Sequence, residues 1–131
     1  MTTEEKVSKR TNILLWSAQW LLAVTLVWAG FMKLINPADL PWPWIKENPN
    51  LVILTGILDL LAGIGLVLPA LLYKKNRLTA YIAYGIIALM MGAIVFHICR
   101  DESSQIGFNV LLIIIAGFIA WGRRLPVTLK Q

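Results

Sequence analysis

One cysteine and one histidine are all that these 131 residues hold of the two most versatile redox and metal ligands. With Cys99 alone, a disulfide scaffold, a Cys-x-x-Cys redox centre and a thiolate zinc site are all excluded. With His97 alone there is no bis-histidine haem ligation, and no carboxylate–histidine set has the spacing of a metal site. No glycine-rich phosphate loop occurs. Charge is also scarce: Asp, Glu, Lys and Arg make up 15% of the chain, against about 25% in an average soluble domain. A chain of this size has proportionately more surface to cover than a large one. So little charge therefore excludes a water-soluble fold. Disorder is excluded from the other side, since disordered chains are poor in aliphatic residues and this one is 58% apolar with a mean hydropathy of +0.71.

Long apolar runs take the place of charge. A helix needs roughly 20 predominantly apolar residues to cross a hydrocarbon core about 30 Å thick. Four segments reach or approach that length, over residues 13–35, 51–73, 78–99 and 106–122. They are too long for strands of about 5–6 residues and show no apolar–polar alternation. In lipid an open-ended segment must satisfy its own backbone, which only a helix does. The reading is all-α: one domain over residues 1–131, an integral membrane four-helix bundle. The first segment is too long for the roughly 7–15-residue apolar region of a signal peptide and lacks a clear cleavage site, so it is read as an uncleaved span.

The basic residues give an orientation. Lys6, Lys9, Arg10, Lys74, Lys75, Arg77, Arg123, Arg124 and Lys130 fall on one side, and Lys33, Lys46 and Arg100 on the other. The positive-inside rule puts both termini in the cytoplasm. The net charge of +5 thus reflects topology. A nucleic-acid role would need a basic face in polar surroundings, and none is present. Trp16, Trp20, Tyr73, Tyr81 and Trp121 fall near the cytoplasmic interface, and Trp42 and Trp44 in the first outer loop. Anchoring at the headgroups is the simplest role for such rings. That loop, 36–50, carries Pro37, Pro41, Pro43 and Pro49, which stiffen it. It is read as a rigid connector, with a lid over the bundle as the alternative.

Ionisable residues inside spans are costly and each needs a reason. Asp59 is eight residues from Leu51, about 12 Å below the outer boundary at 1.5 Å per residue. At that depth a carboxyl must be paired with a cation or hold its proton. Lys33, His97, Arg100 and Asn109 also fall in the outer half, and the cytoplasmic half of the bundle holds nothing comparable. Met90, Ala93, His97 and Arg100 share a stripe at 3, 4, 3 spacing; Gly56, Asp59 and Gly63 form another, and Gly30 shares a face with Lys33. The expectation is one polar pocket opening outward, ringed by Lys33, Asp59, His97 and Arg100, with Met90, Asn109, Trp42 and Trp44 as secondary candidates. The plainer roles are a snorkelling Lys33, an interfacial His97, a solvated Arg100–Asp101–Glu102 cluster and a structural ion pair at Asp59. Cys99, two residues after His97, points to a different face, so the two form no nucleophile pair.

Three stretches carry a family resemblance: AGFMKLINP from Ala29 to Pro37, GILDLLAGIGLVLPALL from Gly56 to Leu72, and ALMMGAIVFHICRDE from Ala88 to Glu102. In order and spacing they resemble the DoxX-like family of small four-span bacterial membrane proteins. The Lys-Leu ending of span one resembles that family's Gly-x-x-Lys-Leu, and Met90, Ala93, His97 and Arg100 stand where its third span has Met-x-x-Ala-x-x-x-His-x-x-Arg. The resemblance runs from Ile13 to Arg123. Asp59 departs from it, since relatives often carry glutamate there.

The resemblance implies a bacterial inner-membrane location. It also implies links to quinone-coupled oxidation of sulfur compounds beside a separate catalytic subunit, to oxidative-stress or quinone-resistance systems, or, in distant relatives, to membrane-protein assembly. Three functions are weighed on this basis. The first is a redox-associated accessory subunit, not a stand-alone enzyme, that holds a quinone or small aromatic molecule. In it His97 and Lys33 donate to carbonyl oxygens, Asp59 stores a proton, and a soluble or membrane oxidoreductase partner supplies electrons. The second is an assembly or scaffold factor with a structural polar cluster. The third is a proton-coupled exporter using Asp59, disfavoured because Lys33, His97 and Arg100 would repel a cationic substrate. Homo-oligomerisation is left open.

Overall fold

A computed structural model describes residues 9–40, 44–73, 76–101 and 106–124. Trp42, Pro41, Pro43, Lys6, Lys74, Lys75, Glu102 and Lys130 lie outside the described residues. The helices are α1 (Lys9–Ile35), α2 (Trp44–Glu47), α3 (Pro49–Tyr73), α4 (Asn76–Cys99) and α5 (Gly107–Arg123), with a 3-10 turn over Pro37–Asp39. No strand occurs among the described residues. The expected spans are all helical. Their C-terminal limits agree with the structure to within a residue, and the first begins four residues earlier than the hydrophobic run.

The chain order builds an up-down-up-down bundle. Lys33, near the end of α1, meets Asp59, early in α3, and Gln19, early in α1, meets the carbonyl of Leu66, late in α3. Arg123 at the end of α5 bonds Asn12 in the first turn of α1, so the beginning of the first helix and the end of the last lie at one end of the bundle. Each long helix packs on two others, α1 and α4 both touching α3 and α5.

Side-chain distribution identifies the solvent. Leu21, Val24, Leu61, Leu72 and Ile114 are exposed, whereas Gln19, Lys33, Asp59, Thr79, His97, Asn109 and Arg123 are buried. In water such an arrangement would leave a large apolar surface unpaired; in lipid it is the expected polarity, with ionisable groups facing the bundle interior. The chain is a membrane protein of several apolar helices. Helices α1, α3 and α4 are long and apolar enough to span a membrane. Helix α5 has 17 residues, about 25 Å at 1.5 Å per residue, a few ångströms short of an average hydrocarbon core.

The core between the four helices is Leu22, Leu26, Leu66, Ala83, Ile86, Leu112, Ala116 and Ile119 with their neighbours. Close approach of α1 and α3 depends on glycine. A Cβ on Gly30 would lie 2.6 Å from the Gly56 carbonyl oxygen, and one on Gly63 would lie 2.9 Å from that of Ala23. Both sites are backed by main chain that cannot yield, which is the use small residues have in membrane interfaces. Pro69 interrupts the hydrogen-bond donors of α3, and the Gln19 carboxamide donates to the Leu66 carbonyl in the same region, at 2.8 Å. Helix α4 stops at Cys99 because Asp101 takes a left-handed φ of 58°, a conformation Asp tolerates better than most residues.

The described residues of the connector from α1 to α3 pack against the bundle. Leu40, Trp44, Ile45 and Val52 form a second small core against Met32, Leu51 and Phe96. Helix α2 therefore folds back onto the bundle end, and Pro49 occupies the first position of α3, where a missing N–H costs nothing.

Candidate functional site

The close α1–α3 contact brings the two intramembrane charges together. Lys33 Nζ donates to Asp59 Oδ2 at 2.8 Å and to Thr55 Oγ1 at 3.3 Å, while Thr55 Oγ1 donates to the Leu51 carbonyl. Lys33 lies one turn beyond Gly30, and Asp59 lies three residues after Gly56 and four before Gly63. The small residues that let the helix axes approach thus place the ammonium and the carboxylate face to face. The side chains of Lys33 and Asp59 are 10% and 4% exposed, so the pair sits in a low-dielectric setting where each charge needs the other.

Beside the pair is a cavity of about 400 Å³. All five helices contribute to its wall. Helix α1 supplies Lys33, α2 supplies Trp44, α3 supplies Thr55 and Asp59, α4 supplies Met90, Phe96 and His97, and α5 supplies Phe108 and Asn109. Trp44 is the hub of its outer part. Its ring lies edge-on to Phe96 at 5.7 Å and to His97 at 6.5 Å between centroids, and Lys33 Nζ stands 5.4 Å from its centre. A cation over an indole face is attracted by the ring quadrupole, which gives the Lys33 ammonium a second favourable neighbour besides Asp59.

The sequence-derived candidates separate into groups. Lys33, Asp59 and His97 share the cavity wall, with Met90, Asn109 and Trp44. Arg100 does not line the cavity. Its guanidinium reaches Glu47 Oε1 at 2.8 Å and stacks over Phe96 at 5.5 Å, tying α2 to the end of α4. Arg100 lies beyond the last residue of α4, and the back-folded α2 offers it the Glu47 carboxylate. Trp44 is buried, 7% exposed, in place of the headgroup anchoring expected for the loop. Trp42 lies outside the described residues.

The expectation that the opposite half of the bundle holds no comparable polar residues needs correction. There Arg123 is 1% exposed and Gln19 fully buried. Arg123 Nε donates to Gln19 Oε1 and Nη1 donates to Asn12 Oδ1, and the guanidinium stacks over Trp16 at 5.3 Å. In the sequence Arg123 reads as one of a run of tail charges after an apolar span, while Gln19 and Asn12 are isolated amides. The available signal was Gln19 itself, a polar residue in the middle of an apolar run.

Compared with known proteins, residues 17–119 match the sequence model of the DoxX-like family. No curated protein and no solved structure matches the chain significantly.

Proposed function

From a chain that belongs to the DoxX-like family, we propose a ligand-binding membrane protein, an accessory subunit of a redox system that holds a quinone or a similar small aromatic molecule in the intramembrane cavity. The single observation that carries this reading is the composition of the cavity. It collects aromatic walls (Trp44, Phe96, Phe108) and polar groups (Lys33, His97, Asn109) in one space of about 400 Å³. Ligand sites are typically apolar clefts of about 300–1,000 Å³ with a few convergent polar groups. The aromatic faces suit a flat ring. In this reading His97 and Asn109, both on the cavity wall, donate hydrogen bonds to the carbonyl oxygens, and Asp59, held by Lys33, takes or gives a proton as the ring changes redox state. None of these side chains supplies electrons, so a partner oxidoreductase is part of the proposal.

The same reading places the protein in the bacterial inner membrane with both termini cytoplasmic. In support, Lys9, Arg10, Arg77, Arg123 and Arg124 gather at the end of the bundle where α1 begins and α5 ends, and cytoplasmic ends carry the excess of Lys and Arg.

The test is purification in mild detergent followed by mass spectrometry of co-purifying quinones, lipids and proteins. Wild-type protein is expected to retain a quinone, and His97→Ala and Asn109→Ala to lose it while keeping helical content and a monodisperse elution profile. Equal retention by all three would refute the reading. A second reading, a scaffold or assembly factor, is favoured by the Lys33–Asp59 bond, which fastens α1 to α3 at 2.8 Å. In that case Asp59→Asn lowers stability, and neither the wild type nor the His97→Ala variant carries a small molecule.

A further inference from the structure

Arg123 is a buried cation with no counter-charge among the described residues around it. Its described hydrogen-bond partners, Gln19 and Asn12, are neutral amides, and its Nη2 is buried with no acceptor among the described residues. The described acidic residues, Asp39, Glu47, Asp59 and Asp101, all belong to the other end of the bundle. Lys33, which holds Asp59, is 14 positions along α1 from Gln19, about 21 Å at 1.5 Å per residue. The other described charged residues at this end of the helices are Lys9, Arg10, Arg77 and Arg124, all cationic. Buried charges are stable when paired, so this arrangement calls for an anion.

We propose that Arg123 is the centre of an oxyanion site of the phosphate class, occupied by the headgroup of an anionic phospholipid in the leaflet at this end of the bundle. The guanidinium fork matches a phosphate with two parallel N–H donors. Its inner edge, Nε, is fixed by Gln19, which is itself anchored to the Leu66 carbonyl, and its flat face is fixed by Trp16. What remains is the Nη1–Nη2 edge. Its described bond is to Asn12, a half-buried residue in the first turn of α1, and an arriving headgroup exchanges for that bond. The exposed Lys9 and Arg10 precede Asn12 in the first turn of α1, and basic pockets between membrane helices recognise anionic headgroups. The site is separate from the cavity at the far end and does not depend on what that cavity binds.

The experiment uses the full chain in nanodiscs and in mild detergent. Native mass spectrometry counts retained lipid, and thermal unfolding is followed with phosphatidylglycerol, with phosphatidylcholine and with inorganic phosphate. Phosphatidylglycerol is expected to be retained and to raise the midpoint, phosphatidylcholine to do neither. Arg123→Gln should lower phosphatidylglycerol retention at least about tenfold, the weight of a charge-assisted hydrogen-bond pair. Asn12→Ala, which leaves Arg123 in place, should keep or increase it, and this variant decides the matter should Arg123→Gln not fold. Equal effects of the two lipids on wild-type protein, or a loss in Asn12→Ala equal to that in Arg123→Gln, would overturn the proposal. A midpoint shift reproduced by inorganic phosphate supports the oxyanion site and overturns the lipid as its source. Lipid independence together with destabilisation by Glu4→Gln/Glu5→Gln would put the counter-charge in the chain itself and overturn the site.

Discussion

Replacing Asp59 by asparagine leaves the Lys33 ammonium in a setting built for an ion pair. Two charges 2.8 Å apart with side chains 10% and 4% exposed form a buried salt bridge. Removing one partner of such a pair costs about 3–5 kcal/mol, because the remaining charge stays desolvated. Two neighbours reduce that cost here. Thr55 Oγ1 accepts from Lys33 Nζ at 3.3 Å, and the Trp44 ring lies 5.4 Å from it; a partly desolvated cation over an aromatic face is stabilised by about 1–2 kcal/mol. The expected loss for Asp59→Asn is therefore about 2–3 kcal/mol, a roughly 30- to 150-fold change in the unfolding equilibrium at 1.4 kcal/mol per tenfold. Lys33→Met should cost a similar amount by stranding the carboxylate. The double variant Lys33→Met/Asp59→Leu removes both charges and restores apolar packing, which for buried pairs is often neutral or stabilising. It should be more stable than either single variant. The assay is unfolding in mixed micelles with rising SDS, followed by circular dichroism. Contacting residues couple by about 0.5–3 kcal/mol, whereas independent ones add within about 0.3–0.5 kcal/mol. A double variant as damaged as the sum of the singles would refute the pairing.

Three further outcomes are expected. Gly30→Ala should destabilise by about 1–3 kcal/mol, the usual cost of overpacking, because its Cβ would meet the Gly56 carbonyl at 2.6 Å; Gly117→Ala, with nothing within 4 Å of its Cβ, should be neutral or stabilising by up to about 1 kcal/mol from helix propensity, and equal effects in the same SDS titration would contradict the close-packed interface. Cys99 is free and exposed, so Cys99→Ser should leave expression, stability and quinone retention unchanged; a large loss with normal helical content would reveal a thiol function. Reporter fusions after Glu47 and at Gln131 should report opposite compartments, and matching signals would exclude an even number of spans with both termini cytoplasmic.

The class of object was written in the composition. Little charge, and apolar runs too long for strands and without alternation, leave a membrane helical bundle, in which each helix satisfies its own backbone without water. The inward stripes of Gly30 with Lys33, and of Gly56, Asp59 and Gly63, follow from helical periodicity, which dictates which residues share a face. Periodicity does not say how far each helix is rotated against its neighbours, or where the chain beyond a helix end turns. Those are long-range matters, and three residues show it. Trp44 reads as an interfacial anchor until α2 folds back and lodges it between Lys33 and Phe96. Arg100 continues the His97 stripe in sequence, yet Glu47, 53 residues away, draws it to the surface. Arg123 reads as a tail charge, but α5 stays helical through it. Gly122 beside it has no side chain, so Leu15 of α1 fills the place where a Cβ would stand. That close contact carries the guanidinium between α1 and its neighbours, where Gln19 and Asn12, 104 and 111 residues earlier, supply acceptors that no local reading of the sequence connects to it.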